Sequence, residues 1–170
     1  MIELEVATPE AMESLGQRIG SVLRAGDLVV LVGELGAGKT TLTRGIGEAM
    51  GVRGPVTSPT FVLSRVHPPL AGIGPALVHI DGYRLSGPRE LDDLDVDWDG
   101  AVAVVEWGEG LLDGIADAWL RVAIDRPHGG AITAEDAAGP ALRRLEISGT
   151  GIRGRELETF LAARAQGATA

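Results

Sequence analysis

A chain of 170 residues is close to one average domain, and with 45% hydrophobic and 23% charged residues it has ordinary globular composition and can bury a core. Aromatic residues are only 4%, so that core must be built mainly from Val, Leu, Ile and Ala, and the absence of cysteine excludes disulfides, thiolate nucleophiles and cysteine-ligated metal centres. The formal charge of -9 is the wrong sign for gripping phosphate backbones unaided.

The opening residues, MIELEVATPE, lack the basic start and apolar stretch of a secretory signal, and no segment reaches about 18 uninterrupted apolar residues. The expectation is a cytoplasmic protein with no membrane contact. Ile2, Leu4 and Val6 alternate as a short strand, and Thr8 and Pro9 supply an N-cap and a first-turn proline. Met12, Leu15, Ile19, Val22 and Leu23 recur at the helical period, which predicts a helix over 9–24 closed by Gly26. Residues 28–32 form an unbroken apolar run, the pattern of a strand covered on both faces. After a glycine-rich turn, 39–50 reads as a helix ended by Gly51.

The second half is strand-rich, with candidates at 61–66, 76–80, 101–105, 119–124 and 142–147. Between them lie a Pro/Gly loop at 68–75 and a short helix around 88–94; a last helix at 154–166 carries Leu157, Phe160, Leu161 and Arg164 at helical spacing. No internal repeat is present. This order predicts an α/β fold with a central mixed, mainly parallel sheet flanked by helices, and the string GELGAGKT at 33–40 makes that fold a P-loop NTPase. The expected organisation is one domain over 1–170, with a mobile loop at 127–140 and a frayed tail at 167–170.

Residues 33–40, GELGAGKT, fit the pattern GxxxxGK[ST] between an apolar strand and a helix, as a phosphate-binding loop requires. Gly33, Gly36 and Gly38 let the backbone curl, so that successive N–H groups through Glu34, Leu35 and Ala37 form a nest at a helix N-terminus. Lys39 then bridges the β- and γ-phosphates of ATP, the Thr40 hydroxyl ligates Mg²⁺, and Thr41 adds a hydroxyl and an N–H. Lys39 is the sole lysine among 15 basic residues, which singles out a position needing a compact point charge rather than a planar fork. A dinucleotide fingerprint fits poorly, because Thr41 stands where its third glycine belongs.

A P-loop needs an acid at the end of another strand to hold magnesium, and the run at 101–105 ends at Glu106. Residues 95–106, DVDWDGAVAVVE, also match a calcium-loop string, with Asp95, Asp97, Asp99 and Glu106 at ligand positions. Its flanks fail, since AVAVV has strand composition and Gly108 and Gly110 follow directly. The three histidines, His67, His79 and His128, show no metal-ligand spacing and read as structural or surface residues.

Four blocks together resemble the TsaE family, the small P-loop ATPases of bacterial tRNA threonylcarbamoyladenosine synthesis. They are GELGAGKTTLTRG at 33–45, TSPTF at 57–61, HIDGYRL at 79–85 and VEWGE at 105–109. Gly82 and Gly108 depart from the family's usual residues, and the 127–140 loop looks longer. The resemblance implies that Asp81 orients or deprotonates the attacking water and that Thr57, Ser58 and Thr60 form a switch segment sensing the γ-phosphate. It implies that Tyr83 and Arg84 anchor this region or face a partner, and that Trp107 shields the site or packs in the core. Thr8 and Arg143 or Arg144 approach the nucleotide by the same likeness.

The function so implied is Mg-ATP binding and slow hydrolysis, resetting a larger assembly with TsaD and TsaB. In that assembly TsaD transfers threonylcarbamoyl from its adenylate to tRNA, so this chain meets tRNA only indirectly, in keeping with its negative charge. Two other functions fit a P-loop. In a small-molecule kinase, Asp81 accepts a substrate hydroxyl proton and 84–94 forms a lid, with ATP consumption dependent on an acceptor. A non-hydrolysing docking switch tolerates loss of Asp81 without loss of tRNA modification.

Overall fold

The computed structural model describes residues 1–59, 62–126 and 142–166. The expected mobile loop at 127–140, the expected frayed tail at 167–170 and Thr60 lie outside these residues. Seven strands, β1 (Ile2–Val6), β2 (Leu28–Val32), β3 (Ser64–His67), β4 (Leu77–Asp81), β5 (Val102–Glu106), β6 (Trp119–Asp125) and β7 (Arg143–Thr150), form one sheet. Its order is β1-β7-β6-β2-β5-β4-β3. The middle strands β6, β2, β5 and β4 pair in parallel, whereas β3 and β7 join antiparallel on either side and β1 pairs antiparallel with β7. This is the mixed, mainly parallel α/β sheet that the sequence predicts.

Helices α1 (Pro9–Gly20), α2 (Lys39–Ala49), α3 (Pro88–Asp92) and α4 (Gly151–Gln166) complete the fold. On one face Val29, Leu31, Leu77, Val104 and Val122 pack beneath Met12, Ile19, Leu42, Ile46, Leu157 and Leu161 of α1, α2 and α4. On the other, Leu28, Val30, Val78, Ile80 and Val105 meet Leu91 of α3 and the 111–116 turns, with Trp98 half-buried against them. The run at 28–32 is apolar throughout because both faces are covered. Phe160 stays partly exposed and carries the Arg164 guanidinium 4.7 Å from its ring centroid.

The two helices beside the P-loop pack unusually close. A Cβ added at Gly45 of α2 would stand 2.0 Å from the Glu13 carbonyl oxygen, and one at Gly16 of α1 would stand 2.2 Å from that of Leu42. Hydrogen at these positions lets the backbones touch, so α1 braces the helix whose first residue is Lys39.

Element ends differ from expectation for local reasons. α1 gives way after Gly20 to turns in which Val22 N donates to Ile19 O at 3.1 Å and Leu23 N to Gly20 O at 3.4 Å. β3 starts at Ser64 rather than 61, because Leu63 has a left-handed backbone (φ 63) incompatible with a pleated strand. α4 begins three residues early, at Gly151, where the chain leaves β7 with φ 66. Among the described residues no helix is long and apolar enough to cross a membrane.

Candidate functional site

Parallel α/β sheets present ligand sites beyond the carboxyl ends of their strands. Here the ends of β2, β4 and β5 converge on a cleft of about 550 Å³ lined by the P-loop and α2 start, Ser58, Asp81, Tyr83, Glu106 and Trp107. The loop from Gly33 to Gly38 leaves β2 and ends at the first turn of α2, with Gly38 at the N-cap in a left-handed conformation (φ 113). Gly36 shares that requirement at φ 79, so the curl needs glycine at both places. The Ala37 carbonyl is held from behind by Arg143 Nε at 2.9 Å, which ties β7 to the loop.

Lys39 is buried to 5% exposure, and its Nζ donates to the carbonyl oxygens of Gly33 at 2.7 Å and Glu34 at 2.9 Å. It also lies 3.7 Å from the centroid of the Trp107 ring. Burial pushes its pKa down, while the Glu106 and Asp81 carboxylates push it back up. The ammonium thus rests on weak neutral acceptors and a π-face. Anionic phosphate oxygens are stronger partners for it.

Across the cleft the Thr40 hydroxyl donates to Glu106 Oε1 at 2.9 Å, joining residues 66 apart in sequence. Glu106 sits opposite Asp81 in the β4–β5 register, so both acids close adjacent strands on one face of the sheet. Asp81 is 4% exposed and its carboxylate accepts from Tyr83 N at 3.1 Å, capping the 3₁₀ turn Gly82–Arg84. Trp107 takes φ 60, rare for a bulky residue, directly after β5, and its ring meets Tyr83 edge-on at 5.3 Å between centroids. Tyr83 is 70% exposed at the mouth, and Arg84 follows it on the surface.

The segment after α2 reaches the same cleft. Leu63 O accepts from Asp81 N at 2.8 Å, Ser58 lines the cavity, and Thr57 accepts from an Arg65 guanidinium nitrogen at 2.6 Å. Thr41 lines the wall beside Thr40, and Leu35 stands 91% exposed at the loop tip. Thr8 caps α1 by accepting from Ala11 N at 3.2 Å. Arg144 points elsewhere, pairing with Glu5 at 3.5 Å.

Two sequence features are resolved by the structure. Glu106, last position of the calcium-loop pattern, is turned to Thr40 instead, and among the described residues no three His, Asp or Glu converge as a calcium loop would need. Of the structural and surface roles expected for the histidines, His79 takes an interior one: it is wholly buried with Nε2 2.8 Å from Glu106 Oε1. Only the strand register could reveal that contact, because a histidine inside an apolar run carries no spacing signal. A larger hollow of about 790 Å³ lies against β1, β6 and β7, but Glu3, Glu5, Glu34, Asp125 and Glu146 line it against the single cation Arg144. Such a lining repels a polyphosphate.

Comparison with known proteins agrees with this geometry. The family model described as "Threonylcarbamoyl adenosine biosynthesis protein TsaE" matches residues 6–131. A Streptomyces coelicolor protein named "tRNA threonylcarbamoyladenosine biosynthesis protein TsaE" is 55% identical over 145 residues, 84% of this chain and 93% of that protein. A Bacillus subtilis protein of the same name is 32% identical over 126 residues, 74% of this chain and 78% of its own. The crystal structure of Bacillus subtilis YdiB superposes with a TM-score of 0.72 at 25% identity, covering 96% of this chain and 95% of that one. A P-loop backed by an acid on the neighbouring strand, within a sequence matched over most of its length, places this chain in the TsaE family.

Proposed function

We propose that this chain binds Mg-ATP in the cleft between the P-loop and the ends of β4 and β5, and hydrolyses it slowly alone. In this reading the cycle serves tRNA threonylcarbamoyladenosine synthesis in the cytoplasm, in partnership with TsaD and TsaB. The observation that carries the reading is the Thr40–Glu106 hydrogen bond at 2.9 Å, beside the buried Lys39 ammonium. A hydroxyl and a carboxylate held together at the start of a P-loop helix are hard oxygen donors of the kind magnesium takes alongside phosphates.

The residues divide the work. The amides from Glu34 to Thr41 and the dipole of α2 hold the phosphates, and Lys39 exchanges two neutral carbonyls for phosphate oxygens. Thr40 and Glu106 would hold magnesium, which when bound supplies positive charge against the β- and γ-phosphate oxygens. Asp81 orients the attacking water and takes its proton at a carboxylate oxygen. Trp107 and Tyr83 limit water access to Lys39, and Ser58 with Thr57 responds to the terminal phosphate. The alternatives of kinase and non-hydrolysing switch gain no residue from this arrangement.

Calorimetric titration with ATP tests the reading. Wild type is expected to bind in the presence of Mg²⁺ and Lys39→Ala to bind at least tenfold more weakly, since a charge-assisted contact is worth about 1.5–3 kcal/mol. Equal affinities for the two would remove phosphate recognition from this cleft.

A further inference from the structure

His79 has no part in the roles above, yet it is wholly buried beside them. Its Nε2 lies 2.8 Å from Glu106 Oε1, the same oxygen that accepts the Thr40 hydroxyl at 2.9 Å. A carboxylate has no hydrogen to give, so the imidazole donates from Nε2. The other ring nitrogen, Nδ1, has no partner among the described residues. A buried nitrogen without a partner is a net cost that a leucine would avoid, since the same face carries Leu77, Val102 and Val104. Packing therefore does not explain an imidazole at this place; the bond to Glu106 does.

The register shows what that bond achieves. Asp81 stands opposite Glu106, and His79 stands opposite Val104, two residues back. Two carboxylates side by side on adjacent strands repel, and a lone Glu106 could swing toward several partners. Its bond to His79 holds Oε1, the same oxygen that accepts the Thr40 hydroxyl, so one carboxylate oxygen is fixed from both sides.

We infer that His79 is a positioning residue, whose Nε2 hydrogen bond fixes Glu106 against Thr40 and so presets that pair for a divalent cation while leaving Asp81 to face the water. This inference rests on the Mg-ATP reading of the cleft. It assigns to β4 two functions at alternate positions of one face, His79 for geometry and Asp81 for chemistry.

The test uses the full chain with His79→Gln, His79→Asn and His79→Leu. The amide nitrogen of glutamine sits three bonds from Cβ, as Nε2 does, whereas that of asparagine falls one bond short. ATP binding is measured by calorimetry across Mg²⁺ concentrations and again in chelator without Mg²⁺. The Asn and Leu variants are expected to raise the Mg²⁺ concentration for half-maximal effect by about 10–100-fold, the usual cost of losing such an outer partner. The Gln variant is expected to stay within about threefold of wild type, with Mg²⁺-free affinity unchanged in all three.

Equal Mg²⁺ requirements for Gln, Asn and Leu would overturn the assignment. So would a fall in Mg²⁺-free affinity in step with the Mg²⁺ effect, which is also how a lost fold would register. If wild type itself shows no Mg²⁺-dependent ATP binding, the reading of the cleft has failed and takes this assignment with it.

Discussion

Replacing Asp81 by Asn is expected to lower kcat for ATP hydrolysis by about 10²–10⁴-fold, the range that a positioned general base supplies. That corresponds to roughly 3–5 kcal/mol of transition-state stabilisation. Asparagine keeps an oxygen to accept from Tyr83 N, the bond that caps the 3₁₀ turn at 3.1 Å, so the fold around the cleft is preserved. In the proposed mechanism what it loses is the site for the proton of the attacking water. Affinity for Mg-ATP is expected to stay within about threefold, because the proposed reading assigns the phosphates to the P-loop amides and Lys39 rather than to Asp81. Steady-state kinetics and calorimetry on the same preparation separate the two. A variant that hydrolyses ATP at the wild-type rate would transfer the proton to another group or to solvent.

Arg153→Ala is expected to destabilise the fold by about 3–5 kcal/mol, the usual cost of leaving a buried charge without its partner. Arg153 of α4 makes a two-point contact with Asp27, Nε to Oδ1 at 2.8 Å and a terminal nitrogen to Oδ2 at 2.7 Å, and also donates to Val22 O at 3.1 Å. Those hydrogen bonds to Asp27 hold the guanidinium above its usual pKa. Asp27 is 3% exposed and among the described residues would keep only the Arg24 N–H, at 2.8 Å, to answer its charge. The pair joins α4 to the turn that feeds β2, and β2 delivers the P-loop. At this chain length the loss appears as a fall of roughly 6–20 °C in Tm, or as a lower urea midpoint with unchanged slope. Asp27→Leu combined with Arg153→Leu is expected to recover most of the loss, since an apolar pair needs no charge balance. A change below about 0.5 kcal/mol for Arg153→Ala would mean that water reaches Asp27 in the folded state.

Much of this was legible in the sequence wherever a residue type has one physical use. Leu28–Val32 is apolar on both parities, and the strand has those bounds. The glycine pattern of the loop, the sole lysine, and the acids ending two apolar runs all point to one cleft, and Lys39, Thr40, Asp81 and Glu106 meet there. Sheet order was not legible, because antiparallel addition of β7 and β1 depends on long-range pairing that local periodicity does not encode. The role of His79 emerged only with the β4–β5 register, and the close approach at Gly16 and Gly45 only with the crossing of α1 and α2. The strand expected at 142–147 runs on through Gly149 and Thr150, and α4, expected from 154, starts directly after it at Gly151. Thr8 caps a helix, which its position before Pro9 predicts, while its approach to nucleotide rests on family likeness alone.

ATP hydrolysis by the purified chain, alone and with TsaD plus TsaB, tests the proposed function most directly when wild type is compared with Asp81→Asn and Glu106→Ala. Slow turnover alone, stimulation by the pair, and loss of that stimulation in both variants is the predicted result. No stimulation, with TsaD and TsaB fully active in tRNA modification without this chain, would contradict it and leave the cleft as a nucleotide-binding site outside that reaction.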